Sequence, residues 1–318
     1  MLGACGSSGK HAAAPAAGGL VHWRTLAHVR RPLDVAGPRS DGSLVLAFNG
    51  RLGHLLRSGT VRPVEGRYRS AGGEEPYIAV PAPGHRGCSF GRAVYALRLK
   101  TPHGVVAVAP NGSTRRVATL RAAGLESGIA FDETGRFGHR LLVTVTNGAS
   151  DTTVVSIGCH GGVKTIATHA PRVEGGVVVA PKSFGRYGGD LIAPDEQTGR
   201  IYAFTPGGQS LLIATSDVAH GPDIGVEGGV FLPHRKRYQV VFADRLTPGN
   251  KHPGDDILLS LSRAKLLSAG AHAGDLLMAS EGGAKLDAVS CGPGTCSVRH
   301  IADGPAVAHG EGHIAVLG

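Results

Sequence analysis

An acid that opens a short apolar run recurs five times along the chain: EPYIAV from Glu75, ESGIAF from Glu126, EGGVVV from Glu174, EGGVFL from Glu227 and EGHIAV from Glu311. The first three intervals are 51, 48 and 53 residues, and the last, 84, is near twice the period. In the middle of that long interval AGDLLMASEGG has the form of the second strand of a unit that has lost its opening acid. A fixed period of this size means one supersecondary unit repeated, each copy too small to bury a core alone and stable only when stacked on its neighbours.

Within a period the order is constant. After the acid-led strand comes a second run (LLVTVT at Leu141, DLIAPDE at Asp190, YQVVFADR at Tyr238), then a third (TVVSI at Thr153, RIYAFTP at Arg200). A Gly turn and a fourth run follow (RRVATL at Arg115, VKTIATH at Val163, SLLIATS at Ser210). The runs are short, rich in β-branched residues and bounded by Gly, Pro, Asn or Asp, as strands joined by tight turns require. Fifty glycines, 19 prolines and only 5% aromatics across 318 residues suit such a chain better than a helical bundle. Four strands in a unit of about 45 residues make the blade of a β-propeller. The expected fold is all-β, a six-bladed propeller of four-stranded antiparallel blades, with five or seven blades as the alternatives. The expected closure joins EGHIAVLG to SLVLAFNG, GHLL and TVRPV near the N-terminus, and SRAKLLSAG is expected to form a short helix ending at Gly270.

EGGVVVAPKSFGRYGGDLIAPDEQTGRIYAFTPGGQ resembles blades of the NHL, SMP-30/gluconolactonase and strictosidine-synthase-like propellers, in its Gly-led inner strand, acid-ended second strand and G-[RK]-[IL]-aromatic third strand. The resemblance runs from Leu33 to Gly318 and specifies architecture rather than activity, since such propellers include hydrolases, scaffolds and binding modules. It implies that gluconolactonase-like enzymes hold one divalent ion with a Glu, an Asn and an Asp at inner-strand starts. In this chain the matching positions are all glutamates, which departs from that pattern.

Residues 1–22 are expected to lie outside the propeller, which would occupy 23–318 as one domain. Leu2, Gly3, Ala4 and Cys5 resemble a bacterial lipobox, and the Ser/Gly/Ala/Pro stretch after them suits a flexible tether. That resemblance implies lipidation of Cys5, a translation start further upstream, and an extracytoplasmic protein, membrane-anchored by lipid only or secreted. Cysteine usage agrees. CGPGTC sets Cys291 and Cys296 across a Gly/Pro turn, where a disulfide can staple a hairpin, and Cys88 and Cys159 would form the other pair, though four cysteines allow three connectivities. No run approaches the roughly 18 apolar residues of a membrane span. The net charge of +9 is scattered, with HRKR at His234 its densest cluster, which argues against a nucleic-acid face.

Propeller inner strands line the central channel, so Glu75, Glu126, Glu174, Glu227 and Glu311 are expected to converge at one mouth. A structural role has each Glu bonding backbone N–H groups of the next blade, with the following Gly allowing close approach. A functional role has the carboxylates share a cation, with Glu126, Glu174, Glu227 and Glu311 as ligands of one divalent ion, Ca²⁺ or Zn²⁺. His169, His220 and His309 precede three of these acids and could join them. GCSFG matches a nucleophile-elbow pattern but lacks the strand-to-helix context, so Ser89 is set aside. The expected function is binding of a small molecule or protein by a monomer at this Glu/His mouth, with no catalysis assigned. The alternative is a metal-dependent lactonase or esterase using the same mouth.

Overall fold

The computed structural model describes residues 19–64, 68–70, 75–85, 89–148 and 151–318; Cys5 and Cys88 lie outside them. Six sheets form six blades in a ring. Blades 1 to 4 are each built from consecutive strands running from the channel outward. Their inner strands are Pro32–Ala36, Ile78–Ala79, Leu125–Phe131 and Val178–Val179.

Blades 5 and 6 exchange strands. Val226–Phe231 forms the inner strand of blade 5, but the chain then crosses to blade 6 and builds its two middle strands, Gln239–Asp244 and Ile257–Ser262. A helix, Arg263–Ser268, capped by the Ser262 hydroxyl and followed by Gly270 at a φ of +87°, turns the chain back. Leu276–Ser280, Leu286–Cys291 and Cys296–Asp303 then complete blade 5, and Gly310–Leu317 forms the inner strand of blade 6. The N-terminal strand Arg24–His28 is the outer strand of blade 6, and Val21–His22 adds in parallel to the edge of blade 5, just before the expected domain start.

This corrects three expectations. EGHIAVLG closes blade 6 rather than the blade holding SLVLAFNG, whose inner strand is PLDVA. YQVVFADR pairs with that C-terminal strand, not with VEGGVF, and AGDLLMASEGG is the second strand of the VEGGVF unit. Arg24–His28 and Gly310–Leu317, from the two ends of the described chain, still share one blade and so close the ring. The exchange also welds the two blades. The apolar core between them holds Trp23, Phe242, Leu259, Leu277 and Ile314, and the Trp23 indole N–H donates to the Ala284 carbonyl at 2.8 Å.

The glycines after the acids answer to crowding where inner strands meet. Gly175 has a φ of +83°, and a Cβ there would lie 2.4 Å from the Glu227 carbonyl oxygen. At Gly228 a Cβ would lie 2.7 Å from the Gly312 carbonyl oxygen. Adjacent inner strands bond backbone to backbone, Gly175 N–H to Ser127 O at 2.8 Å and Gly176 N–H to Glu227 O at 2.7 Å. Side chains at these positions would push the ring open.

Candidate functional site

A polar plug divides the channel. Asp34, fully buried on the inner strand of blade 1, accepts from the backbone N–H groups of Val35 (2.9 Å), Ile78 (2.7 Å) and His313 (2.7 Å) and faces the His313 ring at 2.9 Å. The far ring nitrogen of His313 reaches across the channel to the Ile129 carbonyl at 3.0 Å. Burial alone would lower the His313 pKa, but Asp34 and the carbonyl partners outweigh it and hold it raised. The edge of Tyr77 packs on this imidazole, ring centroids 6.3 Å apart, and its hydroxyl, with one proton to donate, lies within hydrogen-bond reach of both Glu227 (2.5 Å) and Glu75 (2.8 Å). Asp34 thus plays toward neighbouring inner strands the part expected of the repeat acids, of which Glu227 accepts from the Gly312 N–H at 3.5 Å.

On the Tyr77 side of the plug, carboxylates gather. Ligand atoms of Glu75, Glu227 and Glu311 all lie within 4.8 Å of one another, as do those of Glu281, His309 and Glu311, so Glu311 belongs to both groups. Arg245 reaches Glu311 at 3.2 Å, and the His309 Nε2 lies 3.1 Å from Glu311 and 3.2 Å from Glu281. Oε2 of Glu227, Oε2 of Glu311 and Nδ1 of His309 are buried without a hydrogen-bond partner. Burial, then mutual repulsion, drives the pKa values of Glu227, Glu281 and Glu311 well above the carboxylate range. Burial and the Arg245 charge lower His309, so its ring is neutral near pH 7. Four acids, a neutral imidazole and unpartnered oxygens form a donor set that fits a divalent cation.

Glu126 and Glu174 sit to one side. Glu126 turns to His103, 3.1 Å away, and its other oxygen is buried and unpartnered. A β-bulge explains the difference from Glu227. In blade 3 the pairing register slips across Ser127, between Glu126 and Gly128; in blade 5 it slips across Glu227 itself, between Val226 and Gly228. The aligned acids are therefore one residue out of phase, and on a strand one residue reverses a side chain. Glu174 pairs with Arg172, which also reaches Asp195 (3.3 Å) and Glu196 (3.0 Å). Burial, then Glu196, raises Glu174 to about 7 despite Arg172. Glu75, Tyr77, Glu126, Arg172 and Glu174 line one cleft of about 440 Å³ that leads to the carboxylate cluster.

His309 is the one histidine of the three that reaches the cluster. His169 ends the outer strand of blade 3, exposed, 3.3 Å from Asp151, and His220 is exposed in the connection to blade 5. Glu281 and Glu196 escaped the sequence reading because they follow second strands rather than open inner ones. The acid-ended second strand of the repeat was the signal for both. Cys291 and Cys296 are bridged across the outer hairpin of blade 5, and Cys159 is disulfide-bonded.

Beyond the plug the inner strands change character. Val35, Ile78, Ile129, Val177, Val230 and Ile314, one from each inner-strand segment, line an open apolar cavity of about 230 Å³ floored by His313.

No family profile matches the chain, and no curated protein matches it significantly. Solved structures do. A gluconolactonase from Xanthomonas campestris is 18% identical over 70% of this chain and 69% of its own, with a TM-score of 0.43. A catalytically inactive virginiamycin B lyase from Staphylococcus aureus, with quinupristin, is 13% identical over 93% and 95%, with a TM-score of 0.49. A Bacteroides thetaiotaomicron protein of unknown function is 12% identical over 87% of this chain and 60% of its own, with a TM-score of 0.50. At these identities the likeness is one of fold: the chain is a six-bladed β-propeller whose structural neighbours include gluconolactonase and virginiamycin B lyase propellers.

Proposed function

We propose that this propeller binds a divalent cation in the carboxylate cluster and, through it, an oxygen-bearing ligand that enters by the adjoining cleft. The observation that carries the reading is the pair of buried, unpartnered oxygens, Glu227 Oε2 and Glu311 Oε2. A buried carboxylate without a partner costs several kcal/mol as an anion, so these acids either keep protons or share a cation. Glu75, Glu227, Glu281 and Glu311 would supply oxygen donors and His309 a neutral nitrogen. An all-oxygen group suits Ca²⁺, and the group that contains His309 suits Zn²⁺. Such an ion, when bound, polarises a ligand carbonyl and acidifies water. The chain's own residues hold the frame: the Tyr77 hydroxyl ties Glu75 to Glu227, and Arg245 orients Glu311.

His309 favours a second reading, the metal-dependent lactonase or esterase. Neutral, buried and set between Glu281 and Glu311, it can accept a proton from water. The bridge between Cys291 and Cys296 supports a place outside the cytoplasm for either reading, since such bridges persist there.

The test is melting temperature in chelator and in excess Ca²⁺ or Zn²⁺. Wild type should gain about 2.7 kcal/mol at a hundredfold excess over Kd, and Glu227→Gln and Glu311→Gln should lose that gain. In chelator Glu311→Gln should change stability little, because it relieves the crowding with Glu75 and Glu281 while giving up the bond from Arg245. A wild type indifferent to every ion would overturn both readings. Lactone or ester turnover that follows ion loading would select the hydrolase.

A further inference from the structure

We propose that a pocket beside the carboxylate cluster, over blade 1, binds the oxyanion head of a small amphipathic molecule, a carboxylate or a phosphate ester. The pocket measures about 280 Å³, and three arginines, Arg31, Arg51 and Arg245, line it. Among the described residues no acid lines it, and its apolar wall includes Leu33 and Phe48. The composition is the inverse of the cluster next door.

Among the described residues Arg31 and Arg51 make no ion pair, whereas Arg245 is engaged by Glu311. Both are set by rigid backbone. Asn49 and Gly50, at φ of +46° and +69°, form the two-residue turn that joins Phe48 to Arg51, a geometry that an Asn-Gly pair favours and that fixes the register of the hairpin. Arg31 itself sits at a φ of +48°, a region in which an arginine is strained. It is pinned there by its N–H bond to Asp256 at 2.9 Å and its carbonyl bond from Asn49 at 2.9 Å. Tyr68 adds a neutral donor to the wall: burial pushes its phenol up to about 12, so it keeps its proton. Guanidinium forks and a hydroxyl around an apolar floor recognise a planar or tetrahedral oxyanion that carries a short hydrocarbon body.

The pocket and the cluster share a wall. Arg245 lines the pocket and bonds Glu311, and Pro76 lines it beside Glu75 of the cluster. A ligand anchored by its anion would therefore present its other end toward the cation. In that respect the inference deepens the function proposed above and rests on it; the anion pocket itself does not.

Calorimetric titration with hexanoate and with butyl phosphate, in chelator and again with Ca²⁺, tests it. Wild type should bind one or both saturably at one site, and the double variant Arg31→Gln/Arg51→Gln should weaken binding about tenfold or more, both arginines being exposed and outside the core. Tyr68→Phe should weaken it less. Hexanoate alone would assign a carboxylic acid, butyl phosphate alone a phosphate ester. Binding of neither, or equal binding by the double variant, would overturn the proposal. Glu227→Gln separates the two readings: it should abolish the response to Ca²⁺ and leave anion binding in chelator intact. Anion binding with no ion response in wild type would sink the cation reading alone.

Discussion

At one end of the channel the inner strands and the turns beside them present Glu75, Glu227, Glu281 and Glu311; at the other, the same strands present Val35, Ile78, Ile129, Val177, Val230 and Ile314. On the strands that carry Glu75, Glu227 and Glu311 the change happens within three residues of the acid, and the layer of Asp34, His313 and Tyr77 lies between. That layer matters electrically. It closes the acidic end from below with apolar strands and one ion pair, so the carboxylates repel one another in a medium far less screening than water. The apolar end has no such conflict: Val35, Ile78, Ile129, Val177 and Ile314 are buried, and of the six Val230 alone is half-buried. On the proposed reading the acidic end responds to cations and protons, whereas the inner-strand side chains of the other end carry no group that could.

Breaking the layer between them should have the largest effect. Asp34→Ala strips three backbone donors and the buried His313 of their acceptor at once, and we expect a loss of about 3–5 kcal/mol by urea denaturation. The loss should be the same in chelator and in excess ion. A cost under about 1 kcal/mol would mean that solvent already reaches the layer and that the two ends share one environment.

This layer also marks how far the sequence could be read. The period, the strand order and six blades were legible because each unit repeats the same alternation and turns, and Glu227 and Glu311 were found because they open two of those units. Asp34 was not, since PLDVA places its acid inside the strand with no glycine after it. Glu126 repeats the motif yet faces His103, because the bulge in its strand falls one residue later, across Ser127 rather than across the acid, and bulge position leaves no trace in composition. The exchange between blades 5 and 6 was hidden for another reason. YQVVFADR and LLMAS are equally good second strands, and only the packing of the Trp23 core decides which neighbour each takes.

Proton linkage sharpens the comparison at intermediate size. Glu227, Glu281 and Glu311 have folded pKa values well above the unfolded carboxylate value, and Glu174 rises to about 7, so the folded state binds more protons than the unfolded chain above about pH 4.5. Stability from these groups is full below that pH and is lost as pH rises. In chelator we expect a fall on the order of 1–3 kcal/mol between pH 5 and pH 8. Excess Ca²⁺ or Zn²⁺ should flatten or reverse the slope, because a bound ion replaces the protons. A slope identical with and without ion would count against a shared cation.

The smallest effect belongs to the apolar end, and its value lies in what it should fail to do. Val230 lines the apolar mouth, half-buried against the core between blades 5 and 6, three residues beyond Glu227 on the same strand. Val230→Ala removes two methyl groups from a site that is partly wet already, so we expect a cost of about 1 kcal/mol. If the plug isolates the ends, that cost is unchanged by chelator, by ion and between pH 5 and pH 8, and the variant keeps the full ion response of wild type. The measurement is a set of melting curves over those conditions for wild type and Val230→Ala. A cost that grows or shrinks with ion would mean that the strand transmits the state of Glu227 through Gly228 and Gly229 to the far mouth. The channel would then behave as one coupled element rather than two chemistries back to back.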